Sequence, residues 1–386
     1  MKLIEVRDTD HNKEFLELPL LIYKNDPNYI RPLDSDVKSV FEKTSNQYFE
    51  DGKCIRWILQ DENGKTIGRI AAFINSLTAF TGDFPTGGIG FFECIDREEA
   101  AFMLFDTARE WLKEMGMAAV DGPVNLGSRE RWWGLLVDGF HPPSYCANYN
   151  PPYYRNFFEA YGFQIYFKQY TYLKRVHEEL KPVHYAIAKR VVRNGEYSFR
   201  HLEVKKLGKY IEDFRTVYNK AWINHEGTTE LSSLHAKKLV SDLEPVIDER
   251  IAWFAYYKEE PVGFFLSLPE LNQLFVKYTN GKVGFADKLR LLFNKWTGST
   301  KLMYGLAFGI VPEHQRKGVE IAMIAAAADA IRGKVPYQEL QMNWIGDFNP
   351  KMMNLAEQIG GRIYKTHHTY RYIFDRTKEF ERHPVI

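Results

Sequence analysis

The apolar residues of the first half fall in short runs that predict β-strands, separated by segments with helical spacing. Strands are predicted at residues 3–6, 55–59, 66–73, 87–95, 118–121 and 165–173. Helices are predicted at residues 12–24, 97–115 and 152–160. The Asn63-Gly64 pair between two of the strands predicts a hairpin. We expect Asp96 to cap the second helix, because Glu99 follows it with the spacing of a capping box.

The second half repeats this order of elements, which predicts two copies of one domain. Strands are predicted at residues 251–256, 262–268, 302–311, 339–344 and 364–374, with helices at residues 319–332 and 351–358. Gly68 precedes Gly162 by 94 residues, and Gly263 precedes Gly360 by 97 residues. The pattern therefore predicts an α/β fold of the mixed-sheet α+β kind. We expect domains at residues 1–175 and 176–386.

Composition and charge are those of a globular chain and argue against a nucleic-acid partner and a bound metal. The 51 Lys and Arg residues nearly balance the 50 Asp and Glu residues, for a net charge of +1, so we expect no nucleic-acid partner. The three cysteines, Cys54, Cys94 and Cys146, have no metal-like spacing, and no metal is expected. Without a signal pattern or an apolar run long enough to cross a bilayer, the chain is expected in the cytoplasm.

One strand-loop-helix stretch has the layout of an anion site. An apolar run leads to Pro312, a polar loop ends at Gly318, and an alanine-rich helix follows up to Gly333. The first amides of such a helix have no intrahelical acceptor, and the helix dipole favours negative charge there. The stretch predicts a pyrophosphate site; an ordinary strand-loop-helix connection is the alternative.

The loop from Gln315 to Glu320, QRKGVE, resembles the Q/R-x-x-G-x-G/A motif of the GNAT acyltransferase superfamily, except that Glu320 stands where that family has Gly or Ala. The order of strands and helices is similar to tandem GNAT domains over nearly the whole chain. Several stretches more closely resemble a bacterial family of putative N-acyltransferases with ceramide-forming relatives. These stretches are residues 22–28, 68–72, 122–125, 134–140 and 150–154.

The resemblance implies that the chain uses acetyl-CoA or a longer acyl-CoA. It implies that the first half is a degenerate, supporting copy, and that the second half binds the cofactor through strand, loop and helix positions. The expected cofactor-binding residues are Phe308, Gly309, Ile310, Val311, Gln315, Arg316, Lys317, Gly318, Val319, Glu320 and Asn349. For Asn349, a helix N-cap role is the alternative.

The resemblance also implies an acid and a base for attack of an amine on the thioester. The usual acid tyrosine is replaced by Ala356 in the second half and by Phe158 in the first. Tyr304 or Tyr364 could substitute, the thiolate could leave unassisted, or the chemistry could be lost. His225 and Glu226 are the leading base candidates, with Asp347 behind them. The aromatic pairs Trp132-Trp133 and Tyr153-Tyr154 are expected to line the pocket or to pack in the core.

An insertion within the second half contains an amphipathic basic segment. Phe285, Leu289, Leu292 and Trp296 fall on one helical stripe, with most lysines and arginines off it. Residues 282–297 could contact anionic lipid, peripherally at the inner membrane, or cover a long acyl chain. The alternative is an extra helix docked on the domain.

Together these features predict an acyl-CoA-dependent N-acyltransferase acting on a small-molecule or lipid amine. Long-chain acylation of a lipid amine, as in ceramide formation, is one alternative. A non-catalytic acyl-CoA-binding protein is another, because Glu320 and the missing acid tyrosines argue against turnover. Acceptor, acyl length and oligomeric state stay open at this point.

Overall fold

The computed structural model describes residues 1–193, 195–222 and 230–385, and its strands and helices follow the predicted order. The strands are β1 (Lys2–Glu5), β2 (Lys53–Gln60), β3 (Thr66–Ile74), β4 (Thr86–Cys94), β5 (Ala119–Gly122), β6 (Leu135–Asp138), β7 (Gln164–Arg175), β8 (Tyr197–His201), β9 (Ala252–Tyr257), β10 (Glu260–Pro269), β11 (Leu302–Ile310), β12 (Glu339–Gly346) and β13 (Arg362–Ile373). The helices are α1 (Thr9–Ile22), α2 (Asp34–Phe41), α3 (Glu98–Glu114), α4 (Tyr154–Tyr161), α5 (Pro182–Val192), α6 (Leu207–Trp222), α7 (Ser233–Leu243), α8 (Leu271–Leu274), α9 (Phe285–Thr297), α10 (Val319–Ile331) and α11 (Pro350–Gln358).

Each half contains a strand, two helices, a hairpin, a further strand, a helix, a strand, a helix and a last strand. The first copy runs from β1 to β7, and the second from β8 to β13. The additions are β6 in the first copy, the connecting helix α5, and the helices α8 and α9 between β10 and β11. The predicted fold class, two copies of a mixed α/β domain, is confirmed.

The two copies exchange their last strands within one continuous sheet. The strand order is β1-β2-β3-β4-β5-β13-β7-β12-β11-β10-β9-β8, and β6 pairs with β13 beside this path. The last strand of the second copy therefore lies next to β5 of the first, with Tyr370 opposite Gly122. Reciprocally, β7 pairs with β12, and Tyr172 lies opposite Met342. The domain boundary after residue 175 stays a prediction, because the sheet runs through both copies.

The helix α10 is apolar on all sides because it is covered on two faces. Its alanine-rich sequence lets it pack closely, and its buried residues include Val319, Ala322 and Met323. One face packs on the second-copy sheet, and α5 covers another, where Ile187 and Val191 join the same core cluster. A helix that is hydrophobic all round needs such cover. The connecting segment between the copies is thus part of the second core.

Two local differences from the sequence predictions have clear causes. The predicted cap at Asp96 is wrong: α3 begins at Glu98 with Arg97 at the N-cap and no side-chain cap. The amide of Ile95 still pairs with Ile67 O, and a tight turn joins Arg97 N to Ile95 O, so the helix starts one residue later. The second difference is β6, a short strand not predicted from periodicity, which pairs with β13.

We expect the exchanged strand β13 to depend on the ion pair between Arg371 and Asp121. The guanidinium donates to both carboxylate oxygens, at 2.7 and 2.9 Å, and both side chains are mostly buried. Removing one partner leaves an uncompensated charge, so Arg371→Met should lower the free energy of unfolding by about 3 kcal/mol. Urea denaturation measures this loss.

The matched control is Arg200→Met, which removes the Arg200–Glu259 pair from the surface. This substitution should cost less than about 1 kcal/mol, because exposed pairs contribute little. Equal losses in the two variants would show that the buried pair does not hold the exchanged strand.

Candidate active site

Strands β11 and β12 diverge and open a V-shaped cleft in the second copy. They pair in parallel from Leu302 opposite Glu339 to Gly305 opposite Met342. Beyond Met342, β12 stays with β7, whereas β11 continues along β10 as far as Ile310. A bulge leaves Leu306 as the extra residue on β11. Among the residues that the structure describes, the edge of β11 that faces β12 therefore has no strand partner after Gly305.

The end of β11 leads into a helix N-terminus with free amides. Gly318 is the N-cap of α10, with φ at 84°, and it offers no side-chain cap. The first bond into the helix joins Ala322 N to Gly318 O at 3.0 Å. The amides of Val319, Glu320 and Ile321 therefore have no intrahelical acceptor, and the positive end of the dipole lies there. This site can bind an anion.

Packing and charge explain why these residue types occur in the loop from Gln315 to Gly318. A Cβ on Gly318 would lie 2.6 Å from Ile187 Cγ2, so only glycine permits the contact between α5 and the start of α10. Gln315 donates its side-chain amide to Ile310 O at 2.9 Å, which ties the loop to the end of β11. Arg316 and Lys317 are exposed beside the free amides. Burial and then the charge of Lys317 lower the pKa of His314.

Glu320 leaves the amides of the α10 N-terminus free. Within the described residues, its Oε2 is buried and accepts no hydrogen bond. This carboxylate oxygen therefore does not cap the amides at the start of α10. The unpaired strand edge, the free amides and the two exposed cations together fit the pantetheine and pyrophosphate groups of a coenzyme A ester.

The equivalent cleft in the first copy is closed by the chain itself. There β4 and β5 pair only from Thr86 to Gly88. The segment after β5 then fills the gap, with Val124 N bonded to Ile89 O at 2.7 Å. A Cβ on Gly90 would meet Val124 O at 1.7 Å, so the two backbones are in contact. Of the two clefts, the described residues leave only that of the second copy open.

Both copies contribute walls to a cavity of about 20 Å³ beside the open cleft. The residues that line it include Glu130, Trp132, Trp133, Asn148, Thr171, Asn343, Trp344, Lys365 and His367. The strand exchange brings these residues together, because Lys365 and His367 lie on β13 while most of the others come from the first copy. Trp132 and Trp133 both line this cavity, and Trp132 also packs in a core cluster of the first copy. Tyr154 instead lies in the first core, where its hydroxyl donates to Glu93 at 2.8 Å.

Burial lowers the pKa of two basic groups of this cavity, His367 and Lys365. It lowers the pKa of His367 to about 4, even though the ring donates to Asn148 O at 3.2 Å. It also lowers the pKa of Lys365 to about 8, while Nζ donates to Pro142 O at 2.6 Å. No group of three or more His, Cys, Asp or Glu side chains in the described chain is arranged to hold a metal ion.

Tyr304 lies at the narrow end of the cleft and remains a proton donor. Its half-buried side chain is on β11, two residues before the bulge. Burial raises the pKa of the Tyr304 phenol, and the charges of Glu130 and Glu270 raise it further. The phenol is therefore protonated near neutral pH. Glu130, from the first copy, is exposed and lines the neighbouring cavity.

The other predicted residues have different surroundings. Asp347 accepts from Lys168 N at 3.0 Å and pairs with Arg382 at 2.5 Å, so its carboxylate joins strand β7 to the C-terminal segment. This engagement argues against Asp347 as a base. Asn349 has the N-cap role given as its alternative, because its side chain accepts from Met352 N at 3.2 Å. His225 and Glu226 lie outside the described residues.

The sequence predictions missed Glu130 and His367. The run Arg129-Glu130-Arg131 beside two tryptophans is a local signal that could have indicated the first of them. His367 carries no comparable signal, because only the strand exchange brings it near the cleft.

Comparisons with known proteins agree with this geometry. The bacterial ceramide synthase of Caulobacter vibrioides is 27% identical over 380 residues, which cover 96% of this chain and 97% of that protein. A tandem GNAT protein from the clavulanic acid biosynthesis pathway superposes with a TM-score of 0.55 at 10% identity, covering 96% of this chain and 98% of its own. The chain has the tandem GNAT fold.

A second solved structure supports the same fold. It contains a GCN5-related glucosamine N-acetyltransferase region in a fungal multi-domain β-N-acetylglucosaminidase. It superposes with a TM-score of 0.57 at 10% identity over 96% of this chain, which spans 38% of that longer protein. No protein-family model matches the sequence. The predicted resemblance to tandem GNAT proteins with ceramide-synthase-like relatives is confirmed.

We expect Gly318 to be required for both its backbone conformation and its packing. Gly318→Ala puts a Cβ against Ile187 and strains a residue whose φ is 84°. Gly333, just after the same helix, is the matched control, because its φ is 69° and a Cβ there would meet no atom within 4 Å. Gly333→Ala should cost about 1 kcal/mol, and Gly318→Ala about 1–3 kcal/mol more. Thermal unfolding of both variants measures the difference, and equal losses would contradict the packing argument.

Proposed function

We propose that this tandem GNAT-fold protein is an acyl-CoA-dependent N-acyltransferase. The observation that carries the proposal is the open cleft between β11 and β12, next to the free amides at the start of α10. Since the corresponding cleft of the first copy is closed by its own backbone, the second copy is the one that binds the cofactor. The first copy supplies walls of the acceptor pocket.

The charged and extended parts of an acyl-CoA fit separate parts of this cleft. The pyrophosphate would accept hydrogen bonds from the amides of Val319 and Glu320, with Arg316 and Lys317 beside it. The pantetheine arm would pair with the free edge of β11 along residues 308–310. This path directs the thioester toward the bulge at Leu306, where unpaired backbone groups can bind the developing oxyanion.

Tyr304 and Glu130 supply the proton transfers in this proposal. The amine attacks the thioester carbonyl, the C–N bond forms, and the C–S bond of the collapsing intermediate breaks. In this proposal the leaving thiolate takes its proton from the hydroxyl of Tyr304, which lies on β11 two residues before the bulge. Glu130, across the cleft on the first copy, accepts the proton that the amine loses, directly or through water. In this proposal, Tyr304 takes the place of the usual acid tyrosine, whose position is occupied by Ala356.

The acceptor is proposed to be a lipid amine. The support is the similarity to a bacterial ceramide synthase over 96% of this chain, since a ceramide is the N-acyl product of an amine-bearing lipid. A long-chain acyl-CoA is then the donor. The free thiols of Cys54, Cys94 and Cys146 are compatible with a cytoplasmic location, which also belongs to the proposal. The competing function, acyl-CoA binding without turnover, predicts cofactor affinity with no amide product.

We expect coenzyme A affinity to depend on the charge beside the free amides. Lys317→Glu places a carboxylate next to the proposed pyrophosphate and should raise the dissociation constant of coenzyme A at least about tenfold, or 1.4 kcal/mol. Isothermal titration calorimetry measures it. Lys334→Glu, an exposed change at the other end of the same helix, is the control and should leave affinity within about twofold. If both variants bind as tightly as the wild type, the pyrophosphate is not at Gly318.

We expect Tyr304→Phe to slow amide formation without weakening cofactor binding. Removing a general acid typically lowers kcat by about 10²–10⁴-fold. The comparison is Tyr364→Phe, the other candidate from the sequence, whose ring stacks on His141 at 4.3 Å. Product formation from palmitoyl-CoA and a sphingoid base is followed by mass spectrometry, with affinity measured separately. A larger loss in Tyr364→Phe would transfer the acid role to that residue.

A further inference from the structure

In the helix α9, a polar residue faces the protein and the apolar stripe faces outward, which is the opposite of an ordinary amphipathic surface helix. Toward the protein lies Asn294, 9% exposed, whose side-chain amide donates to Leu274 O at 2.7 Å. One turn before, Leu291 packs into the cluster formed with Leu271 and Leu274. The helix is therefore docked on the domain, as the alternative expected, but by the face opposite the predicted apolar stripe, which points outward.

The outward face is a continuous apolar surface. Successive residues of an α-helix are rotated by about 100° around its axis. On that basis, five large, exposed apolar residues lie within about 60° of one direction. They are Phe285 (77% exposed), Leu289 (53%), Leu292 (61%), Phe293 (60%) and Trp296 (84%). Single exposed apolar residues are ordinary on protein surfaces, whereas a contiguous patch marks a contact site.

The borders of this apolar surface are cationic. Lys282 and Lys288 are exposed at the start of the helix. Lys295 is also exposed but donates to Pro245 O at 2.9 Å, and Arg290, on the other side, pairs with Asp287 at 3.6 Å. The one acidic side chain of α9, Asp287, is used internally, since it accepts from Gly284 N at 2.9 Å. A local excess of positive charge on a chain of net charge +1 points to a negatively charged partner.

We propose that α9 docks on the surface of a lipid bilayer that contains anionic headgroups. The five apolar residues enter the boundary between headgroups and acyl chains, and the lysines contact the headgroup phosphates. The helix lies along the surface, and no helix in the described chain is long and apolar enough to span a bilayer. This docking does not depend on the proposed acyl transfer.

The helix is held firmly enough to orient the rest of the molecule on a membrane. The insertion that carries it bonds to the first copy through Asp34 N and Gly281 O at 2.8 Å. At its other end, Asn272 donates to Pro143 O at 2.8 Å and Glu270 accepts from Tyr145 N at 2.8 Å. The charge of Glu270 also acts on Tyr304. A docked α9 therefore brings the narrow end of the cleft close to the lipid surface.

The experiment is vesicle flotation of the full chain without any acyl-CoA. We expect binding to vesicles of phosphatidylcholine mixed with phosphatidylglycerol, weaker binding to phosphatidylcholine alone, and release at high salt. The double variant Phe285→Glu with Trp296→Glu should reduce the bound fraction at least about tenfold. Both side chains are exposed, so the change leaves the core intact.

The matched control is Phe80→Glu, in the loop between β3 and β4, where the ring is 64% exposed. This variant should bind vesicles like the wild type. A second variant, Lys282→Glu with Lys288→Glu, should lose the preference for phosphatidylglycerol. No vesicle binding by the wild type, or equal losses in the Phe80 control, would overturn the proposal.

Sedimentation velocity tests a second copy as the occupant of the same face. A wild-type dimer that the α9 double variant makes monomeric, without vesicle binding, would also overturn the proposal. Because no cofactor is present in either experiment, failure here leaves the proposed acyl transfer untouched. Failure of coenzyme A binding in the calorimetry likewise leaves the docking proposal standing.

Discussion

The pairing of β12 with β7 is the interaction on which the cleft depends. Strand β12 has two possible neighbours, and it keeps β7 along its whole length while leaving β11 after Met342. The register of the β12–β7 pair shifts between Met342 and Ile345, at the point where the cleft opens. Because β7 belongs to the first copy, the site of the second copy is opened by a strand that the first copy supplies. Neither half could form this cleft alone with the same neighbours.

The two copies show how one backbone plan supports two different roles. In the first, the segment after β5 returns to β4 and satisfies its backbone with Val124, which closes the cleft between these two strands. In the second, the chain after β12 enters α11 directly, and β11 keeps a free edge. Buried backbone groups need partners. At the free edge of β11, a bound ligand can therefore supply the hydrogen bonds that the backbone does not receive from another strand.

Most of the elements could be predicted from the sequence because each strand and helix carries its own periodic signal. The anion site at Gly318 could also be predicted, because the glycine, the free amides and the start of the helix are consecutive in the sequence. The strand exchange was not, because periodicity reports which face of a strand is buried and not which strand lies beside it. For that reason Glu130 and His367, which are 237 residues apart, could not be assigned to one cavity. Likewise, the sequence did not indicate that Asp347 pairs with Arg382, which lies 35 residues away.

Strand β11 connects two surfaces of opposite chemistry. Its last residue leads to free amides and to Arg316 and Lys317, which suit the charged nucleotide end of a cofactor. Its first residues are joined to α8 and α9, where Gln273 accepts from Lys301 N at 3.1 Å and the apolar face points outward. An acyl-CoA is itself divided in this way, with its phosphates at one end and its chain at the other. The direction of this one strand therefore places the free amides at one end of β11 and the exposed apolar face of α9 at the other.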